Sequence, residues 1–495
     1  MSLIDISNLT FAYDGSSVPV FEHVSFQIDT NWKLGFTGRN GRGKTTFLNL
    51  LMGKLPYSGC ISASVDFEYF PYAVSDRSAN TLAVAEEICR SHPSWQLMRE
   101  LSLLELDEEV LHRPFDTLSN GEQTKVLLAA LFLRENRFLL IDEPTNHLDI
   151  HGRELVSRYL QSKEGFIVVS HDRTFLDGCI DHILSINKTN IEIQRGNFSS
   201  WLVNRERQDS FELQENKKLK KEIRRLERTS REKAAWSDSA ERRKIGFDPT
   251  KTEKSTGRRP YEAAKSKKMM KRAKAIESRQ QSAIEEKSGL LKNLEKAETL
   301  KITQLVYPVS RLISLTDVSV FYGETAACRN ISLSVERGDR IALRGKNGSG
   351  KSTLLKLICG EDLHYTGTLT RGSGLIVSQV PQDTASLCGS LSEYARQRGI
   401  DESQFLTILR KLDFSREQFA KNLQDLSGGQ KKKVLIAGSL CERAHLLVWD
   451  EPLNFIDVLS RMQIEDLLLN CRPTILFVEH DSSFCDRIAT KTVQL

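Results

Sequence analysis

Two glycine-rich stretches have the spacing of a phosphate-binding loop. Residues 38–45 and 345–352 both fit Gly-x-x-x-x-Gly-Lys-Ser/Thr. In such loops the glycines let backbone N–H groups surround a phosphate, the lysine neutralises it, and the last hydroxyl binds Mg²⁺. The candidate nucleotide contacts are Gly38, Asn40, Gly41, Gly43, Lys44, Thr45 and Thr46 in the first loop, and Gly345, Asn347, Gly348, Gly350, Lys351, Ser352 and Thr353 in the second.

Acidic pairs and histidines follow apolar runs further along the chain. An aspartate at the end of a buried strand can complete a Mg²⁺ shell, and the glutamate after it can polarise an attacking water. A histidine that closes a neighbouring strand can contact the γ-phosphate. The candidates are Asp142 and Asp450 for the metal, Glu143 and Glu451 for the water, and His171 and His480 for the γ-phosphate.

These motifs occur in one order and are repeated at an offset of 307 to 309 residues. The chain is therefore a duplicated module, with a first repeat at 1–200 and a second repeat at 306–495. Apolar runs at 34–36, 138–141, 166–169 and 340–343 predict buried strands, and 124–133 predicts a helix. Such alternation predicts an α/β fold with a mainly parallel sheet in each repeat.

The segment that joins the repeats, 201–305, differs in composition. The whole chain has a net charge of +5, whereas residues 201–300 hold 28 Lys and Arg against 17 Asp and Glu. Its two charged, helix-favouring stretches predict a long antiparallel helical hairpin with a tip at about 237–260. A charge bias concentrated at the tip favours a polyanionic partner over a simple spacer.

Composition excludes several other classes of protein. Hydrophobic residues make up 39% of the chain, and no run of 18 uncharged apolar residues occurs. We therefore expect no transmembrane helix, and the N-terminus resembles no secretory signal, which predicts a cytoplasmic protein. The nine cysteines form no Cys-x-x-Cys pair, which argues against a zinc site or a disulfide framework.

Together the motifs resemble those of ATP-binding-cassette ATPases. The signature Leu-Ser-Gly-Gly-Gln of that family is similar to residues 118–123 and 426–431. The resemblance implies two cassettes that pair head to tail, each binding ATP and Mg²⁺ between the P-loop of one and the signature of the other. It implies that Ser119 and Gly121, and Ser427, Gly428 and Gly429, are the signature residues that contact ATP. It implies that Tyr13 and Tyr322 stack on adenine, and that Gln382 is the Q-loop glutamine and a metal contact. Asp149 and Asp457 match the D-loop aspartates.

The sequence departs from the family pattern mainly in the first repeat. Tyr72 stands where the first Q-loop glutamine is expected, and Asn120 and Glu122 replace signature residues. The second D-loop reads Leu-Asn-Phe-Ile-Asp instead of Thr-Asn-His-Leu-Asp. Both catalytic glutamates are kept, so we expect two competent but unequal sites.

Two cassettes joined by a basic hairpin resemble the ABC-F class, and the Asp-Glu-Pro-Leu-Asn-Phe-Ile-Asp-Val stretch is most similar to the Lsa type of antibiotic-resistance proteins. The resemblance implies a monomeric ATPase on the bacterial ribosome, without a membrane subunit, whose linker enters the exit site beside the P-site tRNA and large-subunit rRNA. There it would protect the peptidyl-transferase centre from lincosamides, streptogramin A and pleuromutilins.

Phe247 is the only aromatic residue within 241–260, and Ile245 is the only large aliphatic one. The phenyl ring could stack on a nucleobase or a drug-site wall. The alternative is that the ring packs on its own hairpin, against Trp236 or Tyr261. Arg242, Arg243 and Lys244 would hold rRNA phosphates, or remain solvated.

Three other functions compete with ribosome protection. A housekeeping ABC-F translation factor that relieves stalled ribosomes would share every cassette residue. An exporter ATPase with a separate membrane subunit would not need the basic hairpin. A DNA-binding cassette protein would use the same basic hairpin on duplex DNA.

Overall fold

The computed structural model describes residues 2–14, 19–89, 93–146, 148–186, 191–208 and 304–495 except 324, 347 and 386, together with separate positions from 210 to 228. The chain forms two compact units, Met1–Trp201 with Thr299–Leu495, and Leu202–Glu298. In the second unit the described residues all lie between 202 and 228 and are helical. The rest of the predicted hairpin, with Arg242, Arg243, Lys244, Ile245 and Phe247, lies outside the described residues.

The first repeat contains one antiparallel and one mainly parallel sheet. Its strands are β1 (Leu3–Phe11), β2 (Phe21–Asp29), β3 (Lys33–Thr37), β4 (Ser58–Ser62), β5 (Asp66–Phe70), β6 (Arg137–Asp142), β7 (Phe166–Val169), β8 (His182–Ile186) and β9 (Ile191–Arg195). The helices are α1 (Lys44–Leu51), α2 (Thr81–Cys89), α3 (Ser94–Leu103), α4 (Asn120–Phe132), α5 (Ile150–Gln161) and α6 (Arg173–Cys179). The sheet orders are β2-β1-β4 and β5-β6-β7-β3-β8-β9, with β9 antiparallel to β8.

The second repeat has the same plan. Its strands are β10 (Arg311–Tyr322), β11 (Thr325–Glu336), β12 (Arg340–Arg344), β13 (His364–Arg371), β14 (Val377–Val380), β15 (Leu446–Asp450), β16 (Ile475–Val478) and β17 (Lys491–Gln494). The helices are α7 (Lys351–Cys359), α8 (Leu391–Gln397), α9 (Glu402–Lys411), α10 (Arg416–Phe419), α11 (Gly428–Cys441), α12 (Val458–Cys471) and α13 (Ser482–Ile488). The sheet orders are β11-β10-β13 and β14-β15-β16-β12-β17.

The central strands of the parallel sheets are apolar and covered on both faces. Every residue of β7 and β16 is buried, as expected for strands covered on both faces. The four predicted strands lie within β3, β6, β7 and β12, so those predictions are confirmed, as is the α/β class. The helix predicted at 124–133 instead begins at Asn120, because the side chain of Ser119 caps it there.

Strand order explains why the motif residues meet. In the first repeat β6, β7 and β3 are neighbours, and in the second repeat β15, β16 and β12 are neighbours. The acidic pairs, the histidines and the P-loops follow the carboxyl ends of these strands, which meet at one edge of a parallel sheet. In the first repeat the apolar side chains between the two sheets, including Phe36, Phe47 and Phe138, hold this edge in place.

Within the described residues, no helix combines the length and the apolar character needed to span a membrane.

The second D-loop aspartate is tied into the fold more firmly than the first. Asp457 is fully buried, caps α12 by accepting a hydrogen bond from Ser460 N at 2.9 Å, and accepts another from Lys433 Nζ at 3.1 Å. Burial alone would raise the pKa of Asp457, but the Lys433 ammonium and the Ser460 N–H hold it well below its ordinary value of 3.8. Asp149 caps α5 by accepting from Gly152 N at 2.8 Å.

We therefore expect Asp457→Asn to lower the free energy of unfolding by about 3 kcal/mol, because it leaves the buried Lys433 ammonium without its carboxylate. Asp149→Asn is the matched control and should cost less than about 0.5 kcal/mol, since asparagine caps helices as well as aspartate does. Urea denaturation followed by circular dichroism would measure both. The difference should be fully present above about pH 4 and should shrink progressively as the pH falls below the ordinary pKa of 3.8 towards the lower pKa of folded Asp457. Equal losses in the two variants would contradict this view of Asp457.

Candidate functional site

Both predicted P-loops curl around the amino end of a helix. Lys44 is the first residue of α1, and its Nζ donates to Gly38 O at 2.7 Å and to Asn40 Oδ1 at 3.3 Å. Lys351 begins α7 and donates to Gly345 O at 2.9 Å. Burial lowers the pKa of both lysines, while nearby carboxylates oppose that effect. These ammonium groups are thus held ready to neutralise an anion at a helix N-terminus.

The residue before each lysine must be glycine. Gly43 has φ 93° and Gly350 has φ 87°, a left-handed conformation that side chains disfavour. A Cβ atom on Gly43 would come within 2.5 Å of Val20 Cγ1, and one on Gly350 within 2.4 Å of Ala327 O. The loop backbone therefore passes closely against the strand or loop behind it.

Each P-loop hydroxyl meets the aspartate that the sequence assigned to the same metal site. Thr45 Oγ1 donates to Asp142 Oδ2 at 3.2 Å, and Ser352 hydrogen-bonds Asp450. Burial raises the pKa of both aspartates. Asp450 Oδ1 is buried without a hydrogen-bond partner among the described residues, as expected for an oxygen that binds a cation.

These residues fit Mg²⁺ bound together with a nucleotide. Across the part of the chain that the structure describes, no cluster of three or more His, Cys, Asp or Glu side chains could hold a metal by itself. Mg²⁺ usually takes only one or two protein ligands and completes its shell with phosphate oxygens and water. A carboxylate beside a hydroxyl in each P-loop matches that requirement.

The two predicted catalytic glutamates have different surroundings. Glu451 Oε2 accepts from Gln382 Nε2 at 2.9 Å and from Asn454 Nδ2 at 2.7 Å, while His480 Nε2 lies 3.4 Å from its Oε1. Burial alone would raise the pKa of Glu451, but hydrogen bonds from His480, Asn454 and Gln382 outweigh it and lower the pKa. The carboxylate is therefore ionised at neutral pH.

Glu143 lacks most of that support. His171 Nε2 lies 3.2 Å from Glu143 Oε1, yet within the described residues no hydrogen bond of good geometry reaches this oxygen. Burial, and then the neighbouring Asp142, raise the pKa of Glu143 to about 8. Burial also holds the pKa of His171 well below its ordinary 6.5, so the imidazole is neutral.

The signature serines begin long helices. Ser119 and Ser427 cap α4 and α11, and in each case the side chain of the third residue of the helix accepts a hydrogen bond from the serine N–H. Glu122 completes this capping box in the first repeat, and Gln430 does so in the second. The substitution at Glu122 therefore keeps the local structure while adding a negative charge.

Two cavities join each P-loop to the signature of the other repeat. The first has a volume of about 610 Å³ and is lined by Tyr13, Val20, Asn40, Gly41, Gly43, Lys44, Thr45, Thr46, Glu143, His171, Ser427, Gly428, Gly429 and Phe455. The second has about 740 Å³ and is lined by Ser119, Asn120, Gly121, Glu122, Lys125, Asn146, Leu148, Asp149, His151, Gly152, Ala327, Lys346, Gly348, Gly350, Lys351, Ser352, Thr353, Gln382, Glu451 and His480. The structure thus brings together most of the predicted residues.

A few predicted residues do not line these cavities. Tyr322 does not line the second cavity. Its counterpart Tyr13 does line the first cavity, and the Tyr13 hydroxyl shares a hydrogen bond of 2.7 Å with Thr46 Oγ1. Gly38, Gly345, Asp142 and Asp450 are likewise not among the lining residues, and Asn347 lies outside the described residues. Sequence reasoning missed Phe455 and Tyr69, the latter a donor to Asp142 Oδ2 at 2.9 Å.

At the first cavity the two repeats are hydrogen-bonded to each other. Asn40 Nδ2 donates to Phe455 O at 2.7 Å, and Asn40 N donates to Asp457 Oδ2 at 3.4 Å. Arg39 forms a salt bridge of 2.8 Å with Asp413. A Cβ on Gly429 would approach Phe455 O to 2.3 Å, so the signature glycine is needed for this close packing. The P-loop, signature and D-loop therefore meet at one point.

Comparison with known families agrees with this geometry. The family model described as ABC transporter matches residues 21–146 and 328–454, just over half of the chain. The chain belongs to the ATP-binding-cassette family. Each repeat is therefore one ATP-binding cassette, and the prediction of two cassettes in tandem is confirmed.

Similar curated proteins match over nearly the whole chain. Ribosome protection protein VmlR of Bacillus subtilis is 27% identical over 98% of this chain and 85% of its own length. ATP-binding protein Uup of Buchnera aphidicola is 27% identical over 99% of this chain and 80% of its own. Among solved structures, the RNase-L Inhibitor has a TM-score of 0.64 at 19% identity, covering 99% of this chain and 87% of that one. The archaeal ribosome recycling factor aABCE1, in complex with ribosomal stalk protein aP1, also reaches 0.64.

The interface between the cassettes is asymmetric near the two histidines. Arg173, two residues after His171, forms an ion pair with the fully buried Glu465 of the second cassette, which Arg487 also contacts at 2.8 Å. At the positions that the duplication makes equivalent, Ser482 replaces the arginine and Ser157 replaces the glutamate. These serines line a cavity of about 260 Å³. An ion pair thus joins the cassettes on one side of the interface, whereas the equivalent positions on the other side are serines beside a cavity.

We expect Arg173→Ser to weaken the association of the cassettes, while Glu465 keeps Arg487 as a partner. Cys60 and Cys388 are exposed, one in each cassette, and can carry dyes for energy-transfer measurements. Because Glu465 keeps Arg487, the loss should be smaller than that of a whole buried ion pair, and the ATP concentration for half-maximal association should rise about tenfold. Arg158→Ser, on the wall of the small cavity, is the control and should have little effect. Equal shifts in both variants would contradict a bridging role.

Proposed function

We propose that this protein is an ATP-hydrolysing, ribosome-binding member of the ABC-F class that protects the peptidyl-transferase centre from antibiotics. The observation that carries the ATPase part is the pairing of each P-loop with the other cassette's signature within one chain. Because one chain supplies both halves of both sites, it works as a monomer. The ribosomal part is supported by the basic segment at 201–300 and by the similarity to a ribosome protection protein.

ATP would bind in each cavity with its phosphates on the P-loop and its γ-phosphate facing the opposite signature. Lys44 and Lys351 would contact the β- and γ-phosphates, and the helix N-termini at Ser119 and Ser427 would add partial positive charge. Thr45 with Asp142, and Ser352 with Asp450, would hold Mg²⁺, which neutralises phosphate charge when bound. Whether Gln382 is also a metal contact stays a prediction, since its amide donates to Glu451.

Hydrolysis would use the glutamates at the strand ends. Glu451 is held by Gln382, Asn454 and His480, so it is oriented to take a proton from a water near the γ-phosphate. Glu143 would take the same role at the other site only in its ionised form, which its pKa of about 8 makes the minor form at neutral pH, and it has fewer hydrogen-bonding partners. The two sites should therefore turn over at different rates.

The linker would be the part that reaches the antibiotic site. We propose that ATP closes the cassettes, that the closed protein binds the bacterial ribosome in the cytoplasm, and that the hairpin enters the exit site beside P-site tRNA. The tip would reshape the drug pocket through Phe247 and Ile245, with Arg242, Arg243 and Lys244 on rRNA phosphates. The Lsa-like sequence favours lincosamides, streptogramin A and pleuromutilins as the drugs concerned.

The double variant Glu143→Gln/Glu451→Gln tests the ATPase cycle on the ribosome. It should bind ATP without hydrolysing it and should therefore accumulate on ribosomes. Co-sedimentation with ribosomes in ATP should increase several-fold over the unaltered protein and should vanish in ADP, because only ATP completes both composite sites. Failure of the double variant to co-sediment in ATP would contradict this mechanism.

Antibiotic susceptibility separates ribosome protection from a housekeeping role. In a sensitive Gram-positive host, the protein should raise the inhibitory concentration of at least one of the three drug classes, and the double glutamine variant should not. If no drug at the peptidyl-transferase centre is affected while ribosome binding persists, the housekeeping ABC-F translation factor becomes the better proposal. This alternative stays open because a relative such as ATP-binding protein Uup is named for ATP binding alone and not for protection of the ribosome.

A further inference from the structure

The first cassette lacks the Q-loop glutamine, and its side-chain contacts show which residue reaches the site instead. Tyr72, at the position of that glutamine, lies beside Arg134, whose guanidinium carbon is 5.9 Å from the ring centroid. In the second cassette Gln382 contacts the catalytic Glu451 at 2.9 Å. Tyr72 therefore does not take over the contacts of Gln382.

Tyr69, three residues earlier, points its hydroxyl at the site. It lies on β5, paired with Leu140 of β6 two residues before Asp142. Its OH donates to Asp142 Oδ2 at 2.9 Å, the same oxygen that accepts from Thr45 Oγ1 at 3.2 Å. Within the described residues, the hydrogen bonds to this carboxylate both end on Oδ2, so Oδ1 is the atom available to a cation.

The equivalent position in the second cassette is Gln379 on β14. There the catalytic site has Gln382 in place and Asp450 Oδ1 is buried without a partner among the described residues. The tyrosine therefore occurs in the cassette whose Q-loop glutamine is missing. The ring of Tyr69 packs against the apolar core, and Lys54 Nζ lies 5.5 Å from its centroid, which fixes the direction of the hydroxyl.

We propose that Tyr69 is a positioning residue that holds the Asp142 carboxylate for the divalent cation of the first nucleotide site. Groups that hydrogen-bond a metal-ligating carboxylate fix its orientation, and their loss typically weakens metal binding 10- to 100-fold. Tyr69→Phe would keep the packing of the ring and remove only the donor. This inference rests on the proposed ATP site in the first cavity.

The experiment isolates the first site with Lys351→Ala, which removes the phosphate-binding lysine of the second. A fluorescent ADP analogue is titrated once with saturating Mg²⁺ and once with EDTA. The affinity with Mg²⁺ divided by the affinity with EDTA is then compared between variants. Tyr69→Phe should lower this ratio about tenfold and leave the affinity in EDTA unchanged. Tyr72→Phe is the matched control. It also removes one tyrosine hydroxyl, three residues further along the chain, and should leave the ratio unchanged.

Two results would overturn the inference while leaving the nucleotide site intact. One is a Tyr69→Phe variant whose affinities with Mg²⁺ and with EDTA are both unchanged. The other is an equal loss of affinity in both conditions, which leaves the ratio unchanged and would show a packing role alone. A Lys351→Ala parent that bound no analogue in either condition would contradict the proposed first nucleotide site itself, and this inference with it.

Discussion

The hydrogen bonds from Asn40 to Phe455 and Asp457 are the constraint on which the first nucleotide site depends. They join the first P-loop to the second D-loop, beside the signature glycine Gly429. With the Arg39–Asp413 salt bridge, this contact holds the P-loop against the second cassette, so that the helix N-terminus at Ser427 lines the same cavity as Lys44. Asp457 is rigid enough for this task because Lys433 and the start of α12 hold it from the other side.

The two cassettes differ in the charged residues at their nucleotide sites and at their interface. Glu451 has three side chains around its carboxylate, whereas Glu143 has one buried oxygen with no hydrogen bond among the described residues. An Arg173–Glu465 pair crosses the interface on one side, and two serines face a small cavity on the other. A molecule built this way is expected to close and to hydrolyse ATP unevenly, because its two sites share a fold but differ in electrostatics.

The fold and most of the site could be predicted from the sequence because P-loops, acidic pairs and apolar strands are local patterns. Each pattern also occurs twice at nearly one offset, which strengthens its assignment. Contacts made across the interface were harder to predict. Tyr69 was missed because a tyrosine within an alternating strand resembles core, and only the strand register shows that its hydroxyl reaches Asp142. Tyr322 was assigned by position alone, and the structure leaves it off the cavity wall.

The pairing of the two cassettes within one chain is tested most directly by native mass spectrometry of Glu143→Gln/Glu451→Gln in ATP and Mg²⁺. The cavities that join each P-loop to the opposite signature predict one chain carrying two nucleotides. A complex of two chains, or a single chain that never holds more than one ATP, would contradict it.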